Sequence, residues 1–275
     1  MDDLVSTAWL AANMNSADLV VLDASWHLDP SRDGRAEYAA RHIPGARFFD
    51  LKALSDPNAG TPHMLPPADQ FGTAMEALGV ASDDRIIIYD DSAIRTSARA
   101  WFMLRHFGAR QVAILDGGLR CWMAEGQPVT AEPARERPAQ FAASVARPHE
   151  VTTKAELLRG TGMPIADARP ADRFLGVTPE PRPGLEPGHM PGARNLPMSQ
   201  LYSQDGRFRS ATELREAFAE AGIDPELPFV ASCGSGVTAN SLIFAARLLG
   251  NRDTRLYDGS WSEWGADPYA PKETG

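Results

Sequence analysis

Residues 41–47 read Arg-His-Ile-Pro-Gly-Ala-Arg, and residues 188–194 read Gly-His-Met-Pro-Gly-Ala-Arg. A segment this specific that occurs twice predicts an internal repeat. Farther along the chain, Asp116 and Asp258 each begin an Asp-Gly turn and lie 142 positions apart. Because the order, the spacing and the turn residues agree in both halves, the sequence predicts two similar domains in tandem.

Each half alternates short apolar strands with helical segments, which predicts an α/β fold with a mostly parallel sheet flanked by helices in each domain. The predicted strands are residues 19–23, 85–89 and 112–115 in the first half, and 164–167, 228–232 and 255–257 in the second. The predicted helices are residues 97–107 and 239–249. Residues 127–148 are rich in Pro, Ala, Glu and Arg, as in a linker. We therefore expect an N-terminal domain of residues 1–146 and a C-terminal domain of residues 147–275.

Composition excludes several classes of protein. The 275 residues carry a net charge of −9, which disfavours nucleic acid or an anionic membrane as the main partner, since both bind clustered cations. No apolar run approaches the ~18 residues of a membrane-spanning helix. The acidic N-terminus has no apolar core and does not resemble a signal peptide. We expect a cytoplasmic protein whose two cysteines, Cys121 and Cys233, are reduced.

The most informative stretch is residues 229–239, Phe-Val-Ala-Ser-Cys-Gly-Ser-Gly-Val-Thr-Ala. An apolar strand runs into Cys233, two glycines follow, and a helix then begins. This order places Cys233 at the carboxyl edge of the sheet, where open α/β sheets bind ligands. The glycines let the N–H groups of residues 234–238 form a cradle, and the helix N-terminus adds partial positive charge. Both features stabilise a thiolate and an anionic sulfur attached to it, so Cys233 is the candidate nucleophile.

Three other interpretations of this stretch compete with a catalytic thiol. Cys233 as a buried, inert cysteine is the first, and it leaves the surrounding loop unexplained. A cysteine-dependent phosphatase needs an arginine six positions after the cysteine, where Ala239 stands. Residues 234–239 also fit the dinucleotide pattern G-x-G-x-x-A, but they follow a late strand of the repeat instead of opening it. By contrast, Cys121 lies beside Trp122 without any such loop and is interpreted as a packing residue.

These features resemble the tandem-domain rhodanese superfamily over nearly the whole chain. The resemblance rests on both His-x-Pro-Gly-Ala segments, on Asp-Gly-Ser-Trp-Ser-Glu-Trp at residues 258–264, and on the cysteine loop. Within the superfamily the loop looks like the 3-mercaptopyruvate sulfurtransferase branch. The thiosulfate-using branch carries basic residues where this chain has Gly234 and Ser235. Thiosulfate is a compact dianion that needs cations beside the thiol, whereas mercaptopyruvate carries its charge on a carboxylate several atoms away.

The resemblance implies roles for particular residues. Cys233 would carry the persulfide, and the substrate would contact loop residues Gly234, Gly236, Val237 and Thr238. Arg173 and Arg182 would bind the substrate carboxylate.

The resemblance also implies a proton relay of Ser235, His63 and an acidic residue. The acidic position aligns with Lys52, which cannot orient a histidine, and Asp50 is the alternative. His63 as an ordinary polar residue is the competing interpretation. His42 and His189 occur in both repeats and are interpreted as structural.

The first domain carries Asp90 and Asp91 where the second has its cysteine, and is expected to be non-catalytic. The expected function is transfer of sulfane sulfur from 3-mercaptopyruvate to cyanide or to a thiol acceptor such as thioredoxin or glutathione, with release of pyruvate. No cofactor and no metal are expected. The alternatives are a thiosulfate:cyanide sulfurtransferase and a non-catalytic sulfur carrier.

Overall fold

The computed structural model describes residues 1–275 and divides into two compact units. The first unit comprises Met1–Pro57, Leu65–Pro148 and Gln204–Phe208. The second comprises Asn58–Met64, His149–Ser203 and Arg209–Gly275. Each unit therefore includes a short segment from the other half of the sequence.

The first unit is a five-stranded parallel sheet with helices packed on it. Its strands are β1 (Leu4–Val5), β2 (Leu19–Asp23), β3 (Arg47–Phe48), β4 (Arg85–Tyr89) and β5 (Gln111–Leu115), in the spatial order β1-β5-β4-β2-β3. Its helices are α1 (Thr7–Asn13), α2 (Gly34–Ala40), α3 (Ala68–Ala77), α4 (Ser97–His106) and α5 (Gly118–Ala124).

The second unit repeats this arrangement. Its strands are β6 (Val151–Thr152), β7 (Ile165–Asp167), β8 (Arg194–Asn195), β9 (Val230–Ser232) and β10 (Arg255–Tyr257), all parallel, in the order β6-β10-β9-β7-β8. Its helices are α6 (Lys154–Arg159), α7 (Ala171–Phe174), α8 (Ala211–Glu220), α9 (Ala239–Leu248) and α10 (Ser260–Trp264). The prediction of two α/β domains with parallel sheets is confirmed.

The central strands form where the sequence has unbroken apolar runs. Strand β4 reads Arg-Ile-Ile-Ile-Tyr, and its last four residues are buried because helices cover both faces of the sheet. Strands β2 and β4 pair over their full length, from Leu19 opposite Arg85 to Asp23 opposite Tyr89. Helix α9 buries eight of its ten residues and packs against β9 and β10. None of the helices combines the length and the apolar composition of a membrane span.

The repeated His-Pro-Gly segments are structural in both units. The His42 ring stacks on Tyr38 with centroids 4.2 Å apart, and its Nδ1 lies 2.7 Å from the Tyr38 carbonyl oxygen. In the same way His189 stacks on Phe174 at 3.9 Å, and its Nδ1 lies 2.9 Å from the Phe174 carbonyl oxygen. These contacts tie the turn after each histidine to the helix before it.

Candidate active site

Cys233 lies at the carboxyl ends of the parallel strands β7, β9 and β10, directly after β9. The residue is 1% exposed. Its N–H donates to Ser260 Oγ at 3.1 Å, and its carbonyl oxygen accepts from the Trp261 N–H at 3.0 Å. Helix α10 therefore holds the cysteine backbone from both sides, which fixes the position of the thiol.

The loop after Cys233 offers unused backbone donors. No hydrogen bond within the chain uses the N–H groups of Gly234, Ser235, Val237 and Thr238. The loop carbonyls are held instead, since Asn240 Nδ2 donates to the oxygens of Gly236 at 2.6 Å and Val237 at 3.0 Å. Because these carbonyl oxygens accept hydrogen bonds within the protein while the amide N–H groups remain available as donors, the loop is suited to binding an anion beside the thiol.

A glycine is required at position 236. Its backbone has φ of 73°, a conformation that side chains rarely adopt. A β-carbon there would lie 2.5 Å from the Asp258 carbonyl oxygen. The second loop glycine is therefore fixed by both conformation and space.

The corresponding loop of the first unit is already filled. Asp90 Oδ1 accepts the Ser92 N–H at 2.9 Å, and its Oδ2 accepts the Ser97 N–H at 2.8 Å. Asp91, which stands where the second unit has Cys233, gives its N–H to Ser25 Oγ at 2.9 Å. The first unit thus lacks a nucleophile and occupies its own loop amides with a carboxylate.

The structure brings Ser235 and His63 together. The Ser235 hydroxyl oxygen lies 3.0 Å from His63 Nδ1, and both residues are buried. His63 has φ of 64°, a strained conformation that persists only where the surroundings fix it. The segment Asn58–Met64 belongs to the second unit, although it comes from the first half of the sequence. Asp50, the alternative acidic residue, lies in the first unit and pairs with Arg35 at 2.7 Å.

Arg182 is coupled to the cysteine loop. Its Nη1 donates to Ser262 Oγ at 3.0 Å, and that hydroxyl donates to the Gly234 carbonyl oxygen at 2.6 Å. Burial lowers the pKa of the Arg182 guanidinium, while the negative charge of Cys233 opposes that shift. Through Ser262, the Arg182 side chain is therefore connected to Gly234, the residue that follows Cys233.

Arg173 borders the same loop. Its guanidinium forms an ion pair with Glu180, whose side chain is 1% exposed, while the Arg173 side chain keeps 20% exposure. A β-carbon at Gly234 would lie 3.2 Å from Arg173 Nη2. The missing side chain at Gly234 makes room for this guanidinium.

Sequence reasoning missed Arg169, which shares the carboxylate of Glu180 with Arg173. Its buried guanidinium donates to Asp167 Oδ2 at 2.8 Å, to Glu180 Oε1 at 2.8 Å and to the Gly188 carbonyl oxygen at 2.9 Å. It lies over the Trp261 ring at 4.4 Å. Comparing the two repeats could have identified this arginine, because the residue two positions after the aspartate that ends the strand is Ser25 in the first repeat and Arg169 in the second.

Ser260 and Ser262 were also missed as supporting residues. They hold the backbone of Cys233 and Gly234, respectively. Comparing the two repeats could have identified both serines, because residues 258–262 read Asp-Gly-Ser-Trp-Ser where residues 116–120 read Asp-Gly-Gly-Leu-Arg.

Cys121 has no comparable surroundings. It is buried, and its Sγ lies 3.4 Å from the Asp205 carbonyl oxygen. Burial raises the pKa of this thiol, with Arg207 opposing the shift and nearby carboxylates adding to it. These surroundings favour the protonated thiol and agree with a packing role.

The second unit places four kinds of chemical group around one site. They are a thiol of fixed position, backbone amides available as donors, two guanidinium groups and a hydrogen-bonded hydroxyl and imidazole. The amides suit a developing anion next to the sulfur, and the guanidinium groups suit a carboxylate. This arrangement favours nucleophilic attack by the thiolate on a small anionic substrate.

Comparisons with known proteins agree with this site. The Rhodanese-like domain family matches residues 6–125 and again residues 151–267. The chain is 41% identical to 3-mercaptopyruvate sulfurtransferase from Mus musculus over 271 residues, covering 95% of this chain and 91% of that protein. It is also 41% identical to thiosulfate sulfurtransferase from Rattus norvegicus over 270 residues, covering 95% and 91%.

A solved structure shows the same fold. The crystal structure of SseA from Escherichia coli, described as a 3-mercaptopyruvate sulfotransferase, superposes with a TM-score of 0.86. The two sequences are 36% identical, and the match covers 96% of this chain and 100% of that one. With two family matches, relatives above 40% identity and the thiol loop at the sheet edge, the chain belongs to the rhodanese family and carries two Rhodanese-like domains.

Proposed function

We propose that this chain is a 3-mercaptopyruvate sulfurtransferase that carries sulfur as a persulfide on Cys233. The observation that carries the proposal is the placement of Arg173 and Arg182. Both border the cysteine loop, and Gly234 leaves the space that Arg173 occupies. The cations therefore sit beside the loop, as a donor with a remote carboxylate requires, and not within it.

In the first half-reaction the Cys233 thiolate attacks the sulfur of 3-mercaptopyruvate. A sulfur–sulfur bond forms, the carbon–sulfur bond breaks, and its electron pair leaves with the enolate of pyruvate. Ser235 and His63 hold the C2 oxygen or deliver the proton that converts the enolate to pyruvate. Arg173 and Arg182 bind the substrate carboxylate.

In the second half-reaction an acceptor takes the outer sulfur. The open amides of the loop stabilise the persulfide until then. A thiolate such as that of thioredoxin or glutathione, or cyanide, attacks the outer sulfur and releases Cys233 as the thiolate. The scheme is ping-pong and needs no external oxidant, because C3 of the donor keeps the electron pair of the broken carbon–sulfur bond and is reduced as the thiol sulfur becomes the outer sulfur of the persulfide.

Thiosulfate is the second candidate donor. The comparisons give it equal weight, since the Rattus norvegicus thiosulfate sulfurtransferase is as similar as the mercaptopyruvate enzymes. The loop decides against it. A compact dianion requires cations next to the sulfur, and positions 234 and 235 hold glycine and serine.

A donor comparison tests the proposal. Purified protein receives 3-mercaptopyruvate or thiosulfate with cyanide as acceptor, and pyruvate and thiocyanate are followed. We expect kcat/KM to be higher for mercaptopyruvate, and turnover with both donors to vanish in Cys233→Ser. A preference for thiosulfate would overturn the donor assignment, and activity in Cys233→Ser would overturn the nucleophile.

A further inference from the structure

Ser262 joins a charged side chain to the backbone of the cysteine loop. Its Oγ accepts a hydrogen bond from Arg182 Nη1 at 3.0 Å and donates one to the Gly234 carbonyl oxygen at 2.6 Å. A hydroxyl has one proton to donate and two lone pairs that accept, so it forms both bonds at once. The three groups therefore make one continuous hydrogen-bond chain that begins at a guanidinium and ends at the loop.

The Gly234 carbonyl oxygen receives a second hydrogen bond from the same residue, because the Ser262 N–H donates to it at 2.9 Å. Ser262 is 5% exposed, so both bonds are shielded from solvent. A hydrogen bond is electrostatically stronger in such surroundings than in water. The carbonyl oxygen is thus bound by two donors, and one of them is connected to a positive charge.

The same peptide group also carries one of the open donors of the loop. The Gly234 carbonyl and the Ser235 N–H belong to one planar peptide unit, and no hydrogen bond within the chain uses that N–H. Hydrogen bonds in a chain polarise one another, so donors on the carbonyl oxygen make the N–H of the same unit a stronger donor. The charge of Arg182 therefore strengthens an amide in the loop that follows Cys233.

The first unit lacks the hydroxyl that makes this connection. Ser262 corresponds to Arg120 at the shift of 142 positions that relates the repeats. Arg120 Nη1 donates instead to the Gln204 carbonyl oxygen at 3.2 Å. The hydroxyl thus stands in the unit that has a nucleophile for it to serve.

We propose that Ser262 is a positioning residue that couples the Arg182 guanidinium to the Ser235 amide and thereby stabilises negative charge on the Cys233 sulfur. Arg182 then serves both reactants, since it binds the carboxylate of the donor and strengthens the amide cradle of the thiolate. This inference rests on the proposed role of Cys233 as nucleophile, but it does not depend on which donor supplies the sulfur.

The pH dependence of thiolate formation tests the coupling without any sulfur donor. The intact protein carries Cys121→Ser so that one thiol remains, and the ultraviolet absorbance of the thiolate is read as the difference from a matched Cys233→Ser protein. Ser262→Ala should raise the pH midpoint of thiolate formation by about 0.3 pH unit or more, because a weaker amide donor stabilises the thiolate less. Ser262→Thr, which retains the hydroxyl, should restore the midpoint. An unchanged midpoint in Ser262→Ala would overturn the proposal.

A double-variant cycle separates the hydrogen-bond chain from direct Coulombic attraction. Arg182→Gln should raise the midpoint, and the rise should be at most about half as large when Ser262→Ala is also present, because the route through the hydroxyl is then already broken. Equal rises in the two backgrounds would show that Arg182 acts on the thiolate directly, and would refute the role of Ser262.

Persulfide formation from 3-mercaptopyruvate, measured separately, reports the proposed function. If that step failed while the cycle gave the expected midpoints, the donor assignment would fall and the coupling would stand.

Discussion

Ser260 has φ of 49° although it carries a β-carbon. This left-handed conformation costs about 1–2 kcal/mol in a residue other than glycine. The serine hydroxyl accepts the Cys233 N–H at 3.1 Å and donates to the Tyr257 carbonyl oxygen at 2.8 Å. In the first unit the corresponding residue is Gly118, with φ of 59°. The strained serine thus stands in the unit that has a nucleophile to hold.

Replacing Ser260 by glycine separates strain from positioning. Ser260→Gly relieves the backbone cost and removes a hydrogen bond of about 1 kcal/mol, so we expect little change in the free energy of unfolding. We expect kcat/KM to fall about tenfold, because the cysteine backbone loses its anchor. Ser260→Ala keeps the left-handed backbone conformation of a residue with a β-carbon and loses the hydrogen bond from the Cys233 N–H, so its free energy of unfolding should fall. Wild-type turnover in Ser260→Gly, measured with both donors, would show that the hydroxyl does not position Cys233.

Arg182 should discriminate between donors. Removing its guanidinium in Arg182→Gln should raise KM for 3-mercaptopyruvate by about 10- to 100-fold, since one charge-assisted bond to the carboxylate is lost. The effect on thiosulfate should be smaller. Arg215→Gln, at a half-exposed surface arginine, is the matched control. Equal effects of Arg182→Gln on the two donors in steady-state kinetics would remove the assigned role.

At the scale of elements, the loop between β9 and α9 combines two properties. Its amides are open towards an anion, and its Gly234 carbonyl is clamped by Ser262. The first unit has the same strand–loop–helix order but closes its loop with Asp90. Several changes of residue around the end of the strand, among them Asp90 in place of Ser232 and Asp91 in place of Cys233, therefore separate a loop that hydrogen-bonds to its own carboxylate from one that can bind a substrate.

Gly234→Arg tests why position 234 lacks a side chain. The new β-carbon would lie 3.2 Å from Arg173 Nη2, and the added cation would repel Arg173 from the loop. We expect kcat/KM to fall about tenfold or more for mercaptopyruvate, by loss of one carboxylate contact, and to fall less or rise for thiosulfate. Steady-state kinetics with both donors decide this. An unchanged donor ratio would contradict the account of specificity.

The elements that could be predicted from the sequence are those with strong local patterns. Strands β2, β4 and β10 match their predicted bounds, because each is an apolar run next to turn residues. The four outer strands, β1, β3, β6 and β8, were not predicted, because two residues show no periodicity.

The candidate site was predictable only in part. Cys233 and its loop are contiguous in sequence and follow from local pattern, and the arginines followed from the family resemblance. The roles of Arg169 and Ser260 also depend on contacts that no local pattern reveals, with Trp261 for Arg169 and with Cys233 for Ser260. His63 reaches Ser235 across 172 positions, on a segment that packs with the other half of the sequence.

Over the whole molecule, the two repeats have kept one framework and diverged at matching positions. Three pairs of equivalent positions hold different residues in the two units: Ser25 and Arg169, Asp91 and Cys233, and Gly118 and Ser260. One of these differences leaves Asp23 buried without a cation, and this has an effect on overall stability.

The stability of the protein should depend on the protonation of Asp23. Burial raises its pKa from 3.8 to about 6, so the folded state binds the proton more tightly than the unfolded state. Stability contributed by this group is therefore present below pH 4 and is lost as the pH rises towards 6, by about 3 kcal/mol. Asp23→Asn lacks this loss, so its stability relative to wild type should increase between pH 4 and pH 7. Urea unfolding at both pH values measures the difference, and a pH-independent difference would contradict the assignment.

The most direct test of sulfur transfer is the mass of the intact protein after a single turnover. The protein is mixed with one equivalent of 3-mercaptopyruvate without acceptor, while pyruvate is measured in parallel. The account predicts one added sulfur atom on wild type and on Cys121→Ser, located to Cys233, in equal amount to the pyruvate released. It predicts neither product with Cys233→Ser. Pyruvate release without sulfur on the protein, or sulfur retained by Cys233→Ser, would contradict the central claim.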